Sequence, residues 1–218
     1  MKNVLTALSL AAALLAAAPV TAGNGGNLKK KTTTATKPAE VLKVDPAASK
    51  IEWFATKVTG KHNGTVALQS GSVDVSKGAL TGGSFVIDMT SIKVDDIKDA
   101  EYNGKLVGHL KSDDFFGVEA NPTATFTTTS VAPIKAAKAG QPNYTVTGNL
   151  TIKGKTNPIS FPATVVVAKD GSVAATGKLT VDRSKYDVRY GSNSFFDNLG
   201  DKAISNDMVF NVSVVAKK

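Results

Sequence analysis

From residue 41 onward the apolar side chains recur at every second position, and that period admits few folds. Tyr144, Val146, Gly148, Leu150 and Ile152 alternate with Thr145, Thr147, Asn149, Thr151 and Lys153. Ile159, Phe161, Ala163, Val165 and Val167 repeat the pattern, as do Val173, Ala175, Gly177, Leu179 and Val181. Met208, Phe210, Val212 and Val214 close the chain in the same way, and Ile51, Trp53, Ala55 and Phe85, Ile87, Met89 open it. Successive side chains of a strand point to opposite faces, so each run has one apolar and one polar face. That is the signature of an antiparallel sheet covered on a single side. Turn signals separate the runs at Ser76-Lys77-Gly78, Gly82-Gly83, Lys153-Gly154 and Asp170-Gly171, each supplying residues that tolerate tight backbone. The stretch Gly148 to Phe161 reads as one hairpin.

About eight such strands form either a sandwich or a closed barrel. Asp96 to Lys111 is the one convincing helix, with Ile97, Tyr102, Leu106 and Leu110 near helical spacing, weakened by Gly104 and Gly108. A single short helix suits the mouth of a barrel better than a layer of its own. The expected fold is therefore all-β, a closed antiparallel barrel of about eight strands with that helix near its mouth. Small residues in the inward rows (Ala55, Gly148, Ala163, Ala175, Gly177) point to an interior left unfilled. An eight-stranded barrel is wide enough to hold one ligand.

The N-terminal region has a different composition. Lys2 precedes an apolar run from Val4 to Ala18, and Val20-Thr21-Ala22 supplies small residues for cleavage. Residues 1–22 are expected to be a secretory signal peptide, the run being short for a bilayer span. Residues 23–40, rich in Gly, Thr and Lys, are expected to form a flexible leader, having too little apolar surface to offset ordering. The barrel domain is expected over 41–218. Cysteine is absent, which excludes disulfides, thiol catalysis and lipid attachment through a cysteine. The chain carries +8, but setting aside Lys2, lysines 29, 30, 31 and 37, and Glu40 leaves +4 for residues 41–218. No basic face interleaved with aromatics accompanies that charge, so nucleic acid is not an expected partner.

Little in the chain resembles a catalyst. His109 and Asp113 stand at i,i+4 spacing, but two ligands are not a metal site, and a structural His109 is the expectation. His62, in an expected turn at Gly60-Lys61-His62-Asn63-Gly64, is expected at the surface or barrel rim. No Gly-x-Ser-x-Gly elbow surrounds a serine. Gly154-Lys155-Thr156 lacks the glycine at position 149 and the following helix that a phosphate loop needs. Asp182, Arg183 and Arg189 are expected to form internal ion pairs, with Arg183 reaching a ligand head as the alternative. Two aromatic pairs, Phe115-Phe116 and Phe195-Phe196, are expected in loops that cap or line the interior.

Several blocks, in order, carry a family resemblance: Val44-Asp45-Pro46 with Ile51 and Trp53; Met89-Thr90-Ser91-Ile92; His109-Leu110 with Ser112-Asp113-Asp114-Phe115-Phe116; Asn121-Pro122 with Ala124 and Phe126; Gly148 to Thr156; and Asp182-Arg183-Ser184 with Tyr186. With these, residues from about Val44 to Ala216 resemble the YceI-like family of bacterial polyisoprenoid-binding proteins. The resemblance implies a lipocalin-like barrel, exported to the periplasm or secreted, that binds or carries a long isoprenoid chain such as a polyprenyl or quinone tail. It implies no catalytic residue, no metal and no cofactor beyond a bound lipid. The stretch Lys61 to Gly64 and the loop Gly191 to Asp201 depart from the family pattern. The candidate ligand contacts are Trp53, Phe85, Ile87, Leu106, Leu110, Phe115, Phe116, Phe126, Leu150, Ile152, Phe161, Val165, Tyr186, Phe195 and Phe210. Stable membrane insertion after signal cleavage is not expected, and a homodimer is left open. Two alternatives stand beside carriage: a hydrolase or isomerase using His109 with a nearby Asp, and a ligand-free structural or stress-related periplasmic barrel.

Overall fold

The computed structural model describes residues 39–218, so the expected signal peptide at 1–22 and residues 23–38 of the expected leader lie outside it. Nine strands form one sheet: β1 Glu40–Val44, β2 Lys50–Lys57, β3 Gly60–Ser76, β4 Ala79–Val94, β5 Thr123–Pro133, β6 Tyr144–Ile152, β7 Lys155–Val167, β8 Val173–Asp182 and β9 Ile204–Lys217. The barrel is thus entered at Glu40, the last residue of the expected leader.

β1 and β2 share one place in the ring. β1 opposes Ser72–Val75 of β3, β2 opposes Gly60–Val66, and both lie against β9. A 3-10 turn at Pro46–Ala48, capped by the Asp45 carboxylate, divides them. With β3 also pairing with β4, the sheet closes as an eight-stranded antiparallel barrel.

Two sequence expectations change here. Gly60-Lys61-His62-Asn63-Gly64 is the start of β3, opposite Lys57 to Trp53, and Val58-Thr59 make the turn. Gly82-Gly83 also lies within a strand, opposite Asp74 and Val73. A β-carbon on Gly83 would stand 2.7 Å from the Ser72 carbonyl oxygen, so the glycine marks a close approach of backbones. Lys77-Gly78 and Lys153-Gly154 are turns as expected, with positive φ at both residues, the geometry that joins right-twisted strands through two residues.

β3 escaped the period-two reading, and β4 showed it only over Phe85, Ile87 and Met89, because each changes parity midway. Val66 and Leu68 face inward, then Val73 and Val75; Met89 faces inward, then Ile92 and Val94. Bulges cause the switch. At the larger one, Asp88 accepts from the Thr90 amide and hydroxyl, and the Ser91 hydroxyl takes the Ala67 amide in place of a ladder carbonyl.

The ring is not zipped evenly. β7 pairs with β8 only over Ala163–Val167 and Val173–Gly177. The Ala163 carbonyl and the Val165 amide both engage Asn143, on the β6 side. Odd-numbered residues of β7 therefore address β6 and even-numbered ones address β8. Pro158 and Pro162 are even-numbered and have no N–H to give, so β7 parts from β8 beyond them. At the opposite end β4 and β5 pair only over Ser84–Asp88 and Thr123–Thr127.

The helix α1 is Ala100–Lys111, four residues shorter at its start than expected. Asp99 caps it by accepting from the Tyr102 amide. Asp96 is occupied elsewhere, accepting from the Asn63 amide and bonding the His62 ring. α1, residues 112–122 and residues 183–203 all close one end of the barrel, hereafter the capped end. The other, the hairpin end, is made by the β3–β4, β5–β6 and β7–β8 connections.

Candidate ligand cavity

The barrel encloses a cavity of about 220 Å³, against the ~10–15 Å³ by the same kind of measure that one water needs. It runs from Leu80, Gly82 and Thr128 at the hairpin end to Leu110, Phe115, Phe116 and Arg183 at the capped end. Its wall is apolar except for Thr128, Thr176, Arg183 and Ser205; none of the described Asp, Glu, His or Lys residues lines it. An apolar chain is the guest such a wall accepts, because it offers almost nothing to replace the hydration of a polar one.

All the candidate contacts line this cavity except Leu106, Tyr186 and Phe195. Leu106 packs on the core from α1, and Leu110, one turn later, reaches the cavity in its place. Tyr186 is 1% exposed but sits within the 3-10 turn Arg183–Tyr186 rather than on the wall. Phe195 lies outside, 38% exposed, with the Arg189 guanidinium 5.0 Å above its ring. The inner side of its loop is taken by Val188 and Ser192, both fully buried. Val66, Leu68 and Val73 of β3 line the cavity and were missed, because the bulges break the alternation that would have announced them.

The small inward residues do not simply leave space. A β-carbon on Gly148 would stand 2.4 Å from the Phe126 ring, and one on Gly177 would stand 3.2 Å from Phe161. Glycine admits a neighbouring ring, and the rings join: Phe85, Phe126 and Phe161 form a chain with centroids 6.2 and 5.7 Å apart. The empty volume comes from the alanines and from the width of the ring.

Phe115 and Phe116 plug the capped end, both buried, each contributing about 1.5–3 kcal/mol through burial. The chain turns them inward by satisfying its own backbone: the Phe116, Gly117 and Val118 amides donate to Leu110, Ser112 and Lys111 carbonyls. Gly117 takes φ +53 within that turn. Lys153 ties the plug to residues 183–187 by donating to the carbonyls of Asp113 and Asp187. His109 stacks edge-on with Phe115 and Tyr190, and its Nε2 lies 3.4 Å from Asp114 rather than near Asp113.

The expected internal ion pairs do not form. Arg183 is 2% exposed and donates to three carbonyls, Nε to Ser205, Nη1 to Val188 and Nη2 to Ile204. Its guanidinium stands 5.6 Å from the Phe115 ring centre. Burial pulls its pKa below the usual value, with Asp182 opposing. Asp182 itself accepts from the Ser184 amide and hydroxyl. Arg189 does pair, with Asp187 at 2.6 Å, but at the surface. The buried Tyr186 hydroxyl has no hydrogen-bond partner, and burial first, then Asp182, pushes its pKa up. Among the described residues no three His, Cys, Asp or Glu side chains gather as metal ligands would.

A closed antiparallel barrel around an apolar cavity, plugged at one end by a helix and two phenylalanines, defines a lipocalin-like container. The chain belongs to the YceI-like family: the family model for the YceI-like domain matches residues 42–216. A UPF0312 protein of Pseudomonas aeruginosa is 43% identical over 58 residues, 27% of each chain. A UPF0312 protein of Photorhabdus laumondii is 30% identical over 110 residues, 50% of this chain and 53% of that one. The matched stretches thus span from about a quarter to about half of these relatives' lengths. Among solved structures, BcnA of Burkholderia cenocepacia aligns over 80% of this chain and 99% of its own, at TM-score 0.59 and 26% identity. A polyisoprenoid-binding domain from Saccharophagus degradans aligns over 81% and 97%, at TM-score 0.55 and 18% identity, and shares the fold.

Proposed function

We propose that this protein binds and carries a long apolar ligand, an isoprenoid lipid such as a polyprenyl or quinone tail, without transforming it. The observation that carries the reading is the continuous apolar wall from Leu80 to Leu110. The polyisoprenoid-binding domain of Saccharophagus degradans shares the architecture. A chain of about forty carbons at about 0.3 kcal/mol per heavy atom reaches about 12 kcal/mol of binding free energy, so length and dryness suffice. Non-catalytic carriage is favoured over a hydrolase or isomerase because His109 packs between Phe115 and Tyr190 and is not on the cavity wall. Export to the periplasm through a signal peptide at 1–22 belongs to the same proposal.

Solvent extraction of protein purified from an isoprenoid-rich host, followed by mass spectrometry, tests it. Near-stoichiometric isoprenoid is the expected result, and lipid-free protein refutes the reading. Ala163→Trp or Ala175→Trp fills the cavity from its wall and is expected to lower occupancy while the barrel stays folded by circular dichroism.

A further inference from the structure

Resting on that carriage reading, we infer that the ligand enters and leaves through the side of the barrel, between β7 and β8, with Phe161 as the gate. The ladder between these strands stops at Ala163 and Gly177. Residues 158–162 and 178–182 run on toward the capped end without pairing, a seam roughly 16 Å long at about 3.3 Å per residue. At its far limit the Asn157 side chain donates to the Lys185 carbonyl, tying β7 to the 3-10 turn that follows β8. The seam is thus a window bounded at both ends. Each flanking strand is held on its other side, β7 by β6 over residues 155–163 and β8 by β9 over residues 173–182. Widening the window therefore breaks no ladder hydrogen bond, whereas widening either of those seams would orphan backbone donors and acceptors.

Side chains close the window. Ile159 and Phe161 of β7 and Leu179 and Val181 of β8 all line the cavity. Phe161 lies against β8 where the ladder stops: a β-carbon on Gly177 would stand 3.2 Å from its ring. Outside the same point a groove is bordered by Pro162, Thr164, Lys178 and Asn211. Thr176, Gly177 and Val212 border both the groove and the cavity, so a single layer of wall separates the two. Rotation of the Phe161 ring away from Gly177, with the unpaired strands parting beside it, joins them. The capped end has no such easy route, since opening it would expose the buried Phe115 and Phe116.

The chain has no cysteine, so an introduced pair can be bridged without competition. Ser160→Cys with Thr180→Cys, both at exposed positions beside the window, is joined by a short bis-maleimide. Val166→Cys with Ala174→Cys, exposed register partners in the zipped part of the same seam, is the control stitch. Delipidated protein receives all-trans-retinol from cyclodextrin, an isoprenoid whose absorption overlaps tryptophan emission. Trp53 is the only tryptophan and lines the cavity, so its quenching follows entry and release. The window stitch is expected to slow both rates by about ten-fold or more at unchanged affinity, because a gate lies on the route and not in the bound state. The control stitch is expected to leave both rates as they are. Phe161→Ala is expected to speed entry as well as release, whereas loss of a mere contact speeds release alone. Unchanged rates under the window stitch, or equal slowing by both stitches, overturn the portal and leave carriage standing. Should a stitched protein not fold, an entry rate unraised by Phe161→Ala overturns the portal in its place. No retinol signal in the unstitched wild-type protein overturns the carriage reading and this inference with it.

Discussion

The two ends of the barrel are closed by different physics. At the hairpin end the chain returns through local turns, Lys77-Gly78 among them, and β4 and β5 part company beyond Ser84 and Thr127. At the capped end, α1, residues 112–122 and residues 183–203 are held by contacts between segments distant in sequence, including Lys153 to Asp113 and Asp187. One end is local turn chemistry; the other is tertiary packing. Arg183, the only charged residue on the cavity wall among the described residues, lies at the packed end, where the chain can surround a guanidinium with carbonyls.

If that contrast is right, truncation should cost more at the capped end. Phe115→Ala is expected to lose about 3–5 kcal/mol, as buried phenylalanines do, and Leu80→Ala, half-buried at the hairpin end, about 2 kcal/mol. Chemical denaturation measures both, and equal losses would break the comparison. Adding one methyl sharpens it further. A β-carbon on Gly64 would fall 1.8 Å from the Lys93 carbonyl oxygen, against 2.7 Å to Ser72 for Gly83. Gly64→Ala is expected to cost about 3 kcal/mol and Gly83→Ala about 1 kcal/mol, read as shifts in thermal midpoint.

Tyr186→Phe removes a buried hydroxyl without a partner and is expected to raise stability by about 1 kcal/mol. A loss of that size instead would mean the hydroxyl is satisfied in solution. The smallest effect concerns Asp96. Burial works against its carboxylate, but the Asn63 amide and the His62 ring hold its pKa below the ordinary 3.8. A depressed acid stabilises the fold above its unfolded pKa, and that support is lost as pH falls through the folded value. Asp96→Asn should therefore lower stability by less than about 1 kcal/mol at pH 7 and flatten the acid limb of a pH–stability curve below about pH 4.

The legible parts of this chain were those governed by local rules. β6 and β7, with their Lys153-Gly154 turn, keep one parity throughout, and both strands and their cavity-facing rows stood in the sequence. β3 did not, because its bulges change which face each residue takes, and bulges answer to the partner strand. Phe115 and Phe116 could be placed near the cavity but Phe195 could not, since both pairs look alike locally. What separates them is that Val188 and Ser192 fill the inner side of the second loop. The surroundings of Arg183 were equally hidden, because a backbone carbonyl carries no sequence signal.

The half-unzipped seam between β7 and β8 has a further consequence. A parted seam presents strand edges, and a strand edge is the template on which a second chain adds. Pro158 and Pro162 leave the β7 edge short of donors, and Lys178 stands exposed on β8 where the parting begins. The residues that open the wall are also those that make it a poor template. The barrel can keep a gap in its side without becoming the first layer of a fibre.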